Sequence, residues 1–174
     1  MDEVEVLKRG KYYVTSLSEA HIDELCASLA PESHYELRCL GYETTREALM
    51  KMFCDADCYV AKSKGGPILA VGGIFFDSTA DNSKFFTMFT VEVKENFTTL
   101  ARTSRMFVNF FDQTQPSMSM SILSEFNVML DWAAWLGFEP VGINEYRGHA
   151  YVQFVRCNPK HKNVSDKPSR PVMH

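Results

Sequence analysis

Cys54 and Cys58 are close in sequence and have the residue type for metal binding. Zinc sites usually combine two such pairs of Cys or His, and the sequence has no second pair in register with this one. The chain has five cysteines, an odd number, which indicates reduced thiols rather than a disulfide framework. We therefore predict no metal site and interpret Cys54 and Cys58 as small buried apolar residues.

The periodicity of apolar residues predicts the elements that surround any site. Capping-box patterns, Ser16 with Glu19 and Thr44 with Glu47, mark two helix starts. The predicted elements, in chain order, are a strand at 11–17, helices at 16–29, 31–41 and 44–53, a hairpin at 58–76, a strand at 84–93, a helix at 98–111, a strand at 117–123, a helix at 124–137 and a hairpin at 138–156. This order predicts an α/β domain built around one mixed sheet that is flanked by helices.

Length and charge indicate the class of protein. With 174 residues, of which 45% are apolar, the chain is expected to form a single domain, which we place at residues 1–155. From Arg156 onward there are five Lys or Arg and one Asp, giving +4 and leaving −8 for the rest. We therefore predict a basic flexible tail at 156–174 and no nucleic-acid partner. No stretch is apolar enough to span a membrane or resembles a secretion signal, so we expect a soluble, non-secreted protein.

The order of elements, with a helix that ends in Leu-Gly-Phe before two last strands, resembles the Gcn5-related N-acetyltransferase (GNAT) fold. Within that fold, the stretches "ASLAPESHYELRCLGYETTREALMKMF", "CYVAKSKGGPILAVGGIFF" and above all "WAAWLGFEP" resemble an acetyltransferase-related family that includes the internal virion protein A of short-tailed phages. The resemblance covers about residues 12–155. It implies a GNAT-like mixed sheet in one domain.

The tryptophans of that run, Trp132 and Trp135, are three residues apart and so share a face of the predicted helix. Gly137 can adopt the left-handed conformation that ends the helix, and Phe138 begins the next strand. We predict that both rings pack against the sheet. The alternative is that they form the wall of a cofactor or partner groove.

In enzymes of the GNAT fold, the turn between the fourth strand and the next helix binds the diphosphate of coenzyme A through a glycine-rich backbone. The matching stretch here, "FTVEVKENFTTLARTSR", contains no glycine. The resemblance nevertheless implies acetyl-coenzyme A as the cofactor, with Val91 and Val93 offering backbone groups to its pantetheine arm. Candidate diphosphate contacts are Lys94, Asn96, Thr98, Thr99 and Arg102. The alternative is an ordinary capped helix with a solvated basic face.

The resemblance also implies catalytic candidates. Glu92 lies between two valines of the predicted strand 84–93, a common place in this fold for the base that deprotonates an amine. The alternative, which the sequence favours, is an ordinary surface glutamate. The tyrosine that many such enzymes use as an acid is replaced here by Ala133, and a frequent asparagine is displaced by one residue, to Asn127. Tyr146 or His149 in the last hairpin could substitute for the tyrosine.

Two functions from different classes remain open. The first is a phage-encoded acetyltransferase that uses acetyl-coenzyme A to modify a host protein or a small amine. The second is a catalytically silent GNAT-fold protein that binds a host protein or other virion proteins. The family resemblance places either one in the host cytoplasm or in the phage virion.

Overall fold

The computed structural model describes residues 5–75, 83–94 and 97–159. These residues form eight strands and six helices. The strands are β1 (Glu5–Arg9), β2 (Tyr12–Ser16), β3 (Ala56–Ser63), β4 (Ile68–Phe75), β5 (Ser83–Phe89), β6 (Ser117–Leu123), β7 (Glu139–Tyr146) and β8 (His149–Cys157). The helices are α1 (Glu19–Ser28), α2 (Pro31–Cys39), α3 (Thr45–Asp55), α4 (Val91–Lys94), α5 (Phe97–Phe111) and α6 (Asn127–Trp135).

All eight strands form one sheet in the order β1-β2-β3-β4-β5-β6-β8-β7. Every neighbouring pair is antiparallel except β5 and β6, which are parallel. The sheet is therefore mixed, as the order of elements predicts. The hairpin between β3 and β4 and the closing hairpin between β7 and β8 are both confirmed.

The sheet carries helices on both faces. Because side chains alternate along a strand, Val60 packs with α1, α2 and α3, whereas its neighbour Ala61 packs with α5 and α6. The helix predicted at 98–111 is confirmed as α5, and its Phe107 and Phe111 are buried. Helices thus cover both faces of the sheet in a single layered domain.

Two details at the start of the chain differ from the sequence prediction. A strand that was not predicted, β1, pairs with β2 around a turn at Gly10. The helix α1 is capped by Ser18 and His21, and not by Ser16 and Glu19, because Ser16 still belongs to β2 and pairs with Tyr59. The second predicted cap is correct, since the Glu47 backbone N–H donates to the Thr44 hydroxyl.

The third predicted strand is shorter than predicted. β5 ends at Phe89, and Val91, Glu92 and Val93 lie in the one-turn helix α4. Thr90 ends the strand, because its hydroxyl donates to the carbonyls of Ile68 and Leu69 at 2.8 and 3.1 Å and its carbonyl accepts from the Val93 N–H. The prediction of a strand through residue 93 is therefore wrong.

The last strand continues past the boundary predicted at residue 155. β8 runs to Cys157, the Arg156 guanidinium donates to the Asp112 carboxylate at 2.6 Å, and Asn158 is buried. The predicted tail from residue 160 onward lies outside the described residues. The basic residue Arg156, which the prediction assigned to the tail, is thus part of the sheet.

The cysteines are all free. Cys58 is buried and its thiol donates to the Met52 carbonyl, whereas Cys54 is exposed, which corrects the prediction that both are buried. No group of three or more His, Cys, Asp or Glu in the described ranges is placed to hold a metal ion. No helix there combines the length and apolar character needed to cross a membrane.

Candidate functional site

The parallel strands β5 and β6 separate soon after they begin. They are paired only at Ser83 with Met118 and at Lys84 with Ser119. Beyond these pairs, β5 continues to Phe89 and β6 to Leu123 without pairing to each other. The gap that opens between them exposes the edge of β5 to a groove.

This groove, which we call the splay groove, has a volume of about 660 Å³. Its walls come from α2, from β5 and β6, and from the closing hairpin of β7 and β8. They carry Glu36, Tyr42, Phe86, Ser121, Asn144, Glu145, Tyr146, Tyr151 and Gln153, among others. Its inner end is a narrower crevice that also includes Thr87, Met88 and Trp132. The walls of the splay groove therefore mix apolar side chains, such as Leu40 and Phe85, with polar and charged ones, which include Lys84 and Glu145.

Glu36 is the carboxylate that lines both the groove and the crevice. It lies on α2 and is partly buried between the helix and the sheet, where Phe85 and Phe86 of β5 line the same cavities. Burial disfavours its charged form and raises the pKa of the Glu36 carboxyl to about 7. A carboxyl with this pKa can exchange a proton at neutral pH.

Tyr151 and Thr87 bring hydroxyl groups to the same site. Both side-chain oxygens are buried, and neither has a hydrogen-bond partner among the described residues. Burial raises the pKa of Tyr151 to about 12, and the nearby charges of Cys39, Glu36 and Tyr146 act in the same direction. Buried hydroxyls without partners are rare in folded proteins, so two of them at one groove indicate room for a polar ligand.

The tryptophans have different environments. Trp132 is buried, donates its indole N–H to the Ser104 hydroxyl at 2.9 Å and packs edge-on against Phe89, so it is both core and crevice wall. Trp135 is 51% exposed and stacks under Arg105, whose guanidinium carbon is 4.3 Å from the ring centroid. The prediction that both rings are buried is wrong for Trp135.

The tip of the closing hairpin lies next to Gly41, just after the end of α2. Arg147 has a positive φ of 51°, and its guanidinium lies so close to Gly41 that an added Cβ would be 2.6 Å from the Arg147 Cζ. Gly41 itself has a φ of 95°. Glycine suits position 41 because other residues rarely adopt this φ. Asn144 and Tyr146, in the strand that leads to Arg147, line the groove.

The predicted site residues do not all meet at this groove. Tyr146 does, and it is 52% exposed. Glu92 is exposed on α4, which corrects its predicted place on a strand. Val91 is 43% exposed and Val93 is buried. Both belong to the helical turn α4, where the Val93 N–H donates to the Thr90 carbonyl, so their backbones do not continue the edge of β5.

The predicted diphosphate contacts lie near the first turns of α5. Thr99 is buried and shares a hydrogen bond of 3.0 Å with the Tyr12 hydroxyl, while Thr98 and Arg102 are exposed. Asn96 and the side chain of Lys94 lie outside the described residues. Of the predicted diphosphate contacts, Thr98 and Arg102 are thus open to a ligand near the start of this helix.

Sequence reasoning missed Glu36, Thr87 and Tyr151. Glu36 lies in a helix whose polar residues look solvated, and only the packing of α2 beside β5 and β8 shows that it is desolvated. A signal existed for Thr87, because it interrupts the apolar run "FFTMF" on a central strand. We know of no sequence signal for Tyr151, since an aromatic residue on a strand is ordinary.

The fold is that of the Gcn5-related N-acetyltransferases. A spermidine N-acetyltransferase from Vibrio cholerae, whose structure is in complex with coenzyme A and spermine, superposes with a TM-score of 0.71 at 10% identity over 89% of this chain and 100% of that one. A ribosomal-protein-S5-alanine acetyltransferase from Vibrio fischeri gives 0.63 at 11% identity over 90% and 98%. A Bordetella pertussis protein assigned to the GNAT acetyltransferases gives 0.69 at 15% over 88% and 100%. No protein-family model and no curated protein sequence matches the chain.

Proposed function

We propose that the chain transfers an acetyl group from a coenzyme A thioester to an amine held in the splay groove. The observation that carries this proposal is the half-buried Glu36, whose pKa of about 7 matches the task of a general base at neutral pH. It lies at the place where β5 and β6 separate, in a groove large enough for a small amine or the end of a side chain.

The residues of the groove suit the steps of such a transfer. An amine is mostly protonated at neutral pH, so the Glu36 carboxylate takes a proton from it before or as the nitrogen attacks the acyl carbon. Tyr151 stays protonated because its pKa is raised to about 12, and its free hydroxyl can donate to the negative charge that develops on the departing sulfur. Tyr146, predicted as the acid, lines the same groove and is the second candidate for this role.

Coenzyme A, when bound, supplies the acyl group as a thioester. The buried Thr87 hydroxyl indicates whether the inner crevice suits part of this molecule. It lies in the crevice and lacks a hydrogen-bond partner among the described residues. An amide group of a pantetheine arm can satisfy it, which supports placing part of this arm against the crevice. At the other end, Thr98 and Arg102 on α5 are placed to contact phosphate oxygens.

A second candidate function is a catalytically silent protein that acts by binding. It is favoured by the end of β5, where the Phe89 carbonyl accepts from the Ala30 N–H at 2.9 Å and Thr90 bridges to Leu29. This edge is therefore used by the chain itself. The turn that follows also lacks glycine, so the backbone cannot approach a diphosphate as freely.

The setting in which either function operates is a further part of this proposal. Its support is the resemblance of the run "WAAWLGFEP" to the phage internal virion protein A family. On that basis we propose a phage protein that acts in the host cytoplasm or is carried in the virion, with a host protein or another virion protein as partner. Mass spectrometry of purified particles and of infected cells tests both locations.

The experiment that decides between the two functions measures coenzyme A binding and thiol release. For an acetyltransferase, calorimetry shows binding of acetyl-coenzyme A, and free thiol appears when an amine acceptor is added. A panel of acceptors should include a polyamine, a peptide with a free N-terminus and a lysine-containing peptide. Binding without thiol release from any acceptor, or no binding at millimolar ligand, would favour the silent protein.

A further inference from the structure

A second cavity lies away from the splay groove, between the turn that joins β1 to β2 and one side of α5. We call it the cationic groove. Its volume is about 410 Å³, and it is lined by Arg9, Gly10, Lys11, Tyr12, Arg102 and Met106. Three of these six residues are cations that come from two separate elements.

The charge of this groove is not compensated within the described part of the chain. None of Arg9, Lys11 and Arg102 forms an ion pair there, and no carboxylate lines the cavity. The nearest acidic residue in sequence, Glu5, already pairs with Lys8 at 3.7 Å. A local charge of +3 on a protein whose net charge is −4 costs self-repulsion, which a bound anion relieves.

Tyr12 forms the floor of the cationic groove. Its hydroxyl shares a hydrogen bond with Thr99, and the Lys11 Nζ is 5.3 Å from its ring centroid. The pKa of Tyr12 is lowered by the Thr99 hydrogen bond and, to a lesser extent, by the charges of Lys11 and Arg102. Lys11 and Arg102 therefore both lie close enough to the Tyr12 hydroxyl to affect it, although Lys11 is in a turn and Arg102 is in a helix.

We propose that the cationic groove binds a small phosphate-bearing anion through Arg9, Lys11 and Arg102. Two guanidinium groups that approach from different elements can each donate paired hydrogen bonds to phosphate oxygens, and Lys11 adds a point charge. The phosphates come either from coenzyme A itself or from a separate phosphorylated metabolite. The proposal shares Arg102 with the proposed function, whereas Arg9 and Lys11 line the cationic groove alone, so anion binding can be tested without acyl transfer.

Inorganic pyrophosphate is the probe that tests the site without acyl-transfer activity. Calorimetry should show pyrophosphate binding to the wild type and about tenfold weaker binding to Lys11→Gln and to Arg102→Gln. Arg46→Gln is the matched control, because Arg46 is an exposed arginine that pairs with Asp23 on the other face of the sheet. Melting temperatures of the variants establish that each one is folded.

Tyr12 offers a second readout that a change of stability alone would not move. Ultraviolet titration of the wild type minus Tyr12→Phe isolates the ionisation of this phenol. Bound pyrophosphate places negative charge near the hydroxyl, so the pKa of Tyr12 should rise when the ligand is present. Wild-type protein that binds no pyrophosphate at millimolar concentration, or a Tyr12 titration that pyrophosphate leaves unchanged, overturns the proposal, as does an Arg46→Gln variant that loses as much affinity as Lys11→Gln.

Competition identifies the source of the phosphate. If acetyl-coenzyme A or adenosine 3′,5′-bisphosphate displaces pyrophosphate, and Lys11→Gln weakens all three, the groove holds the phosphates of coenzyme A. If pyrophosphate and acetyl-coenzyme A bind together, the anion is a separate ligand. Both results support an anion site in the cationic groove, and they assign it to different sources.

Discussion

The splay groove and the turn that follows β5 differ in how well they suit acyl transfer. The groove contains a carboxyl with a raised pKa and two hydroxyls without partners among the described residues. The turn contains no glycine, buries Val93 and directs Glu92 to solvent. Proton transfer depends on side chains, which different elements can supply, whereas diphosphate binding depends on close approach to a backbone, which only certain turns allow.

The largest expected effect distinguishes the two glutamates. Glu36→Gln removes the proposed base while keeping its shape, so acetyl transfer should fall by about 10²- to 10⁴-fold. The loss should shrink at high pH, where more of the amine acceptor is already deprotonated. Glu92→Gln is the control, and its turnover should stay within about twofold of the wild type because Glu92 is exposed on α4. Thiol release measured against pH provides both numbers.

The opposite result in this pair would restore the residue chosen from the sequence. Glu92 as the base stays a prediction until then. If Glu92→Gln loses activity and Glu36→Gln does not, the base is Glu92 in the turn that follows β5. The splay groove is then only a pocket for the amine acceptor.

The two tryptophans provide the next test, which concerns stability. Trp132→Ala should lower the free energy of unfolding by about 3–5 kcal/mol, because it removes a buried ring that packs on Phe89 and bonds to Ser104. Trp135→Ala removes a half-exposed ring and its contact with Arg105, so it should cost about 1 kcal/mol or less. Urea unfolding measures both. Equal losses would contradict the placement of Trp135 at the surface.

The pH dependence of stability tests the burial of Glu36 directly. Its pKa is raised from 4.5 to about 7, so the folded state holds this proton more tightly than the unfolded state. The protonated carboxyl thus favours folding at low pH, and stability is lost as pH rises from about 4.5 through 7. Glu36→Gln should match the wild type near pH 4 and be more stable by up to about 3 kcal/mol at pH 8.

Glu92→Gln is again the control, because Glu92 is exposed on α4 and does not line the splay groove. A Glu36→Gln variant whose advantage does not grow with pH would show that Glu36 is solvated. The groove would then lack the desolvated base on which the proposed function rests.

Most of the fold was predictable from the sequence because it depends on local patterns. The apolar stripe of α5, the period-two alternation of "SMSMSIL" and the Gly65 turn of the first hairpin each identify their element. The end of β5 was not predictable. Thr-Val-Glu-Val alternates as a strand does, but Thr90 bonds to carbonyls of β4 and bridges to Leu29, which are contacts between distant segments.

The site was less predictable than the fold, for the same reason. Trp132 and Trp135 are close on the helical wheel, yet Trp135 is the last residue of α6 and is exposed beside Arg105. Glu36 becomes a candidate base only through the desolvation that the packed groove imposes. Tyr146 was placed near the site because it belongs to the last hairpin, and its catalytic role stays a prediction.

The smallest expected effect on stability comes from the hydroxyl of Thr87, and it separates the ligand site from the core. Thr87→Val removes a buried hydroxyl that has no partner among the described residues, so the free energy of unfolding should stay within about 1 kcal/mol of the wild type or rise. Thr103→Val is the matched control, because Thr103 has the same kind of buried hydroxyl on α5, away from the crevice. If the crevice receives the amide-bearing arm of coenzyme A, only Thr87→Val should weaken acetyl-coenzyme A binding, by about tenfold in calorimetry. Equal affinity in the two variants would mean that the Thr87 hydroxyl contacts no ligand and that the crevice is simply an imperfectly filled part of the core.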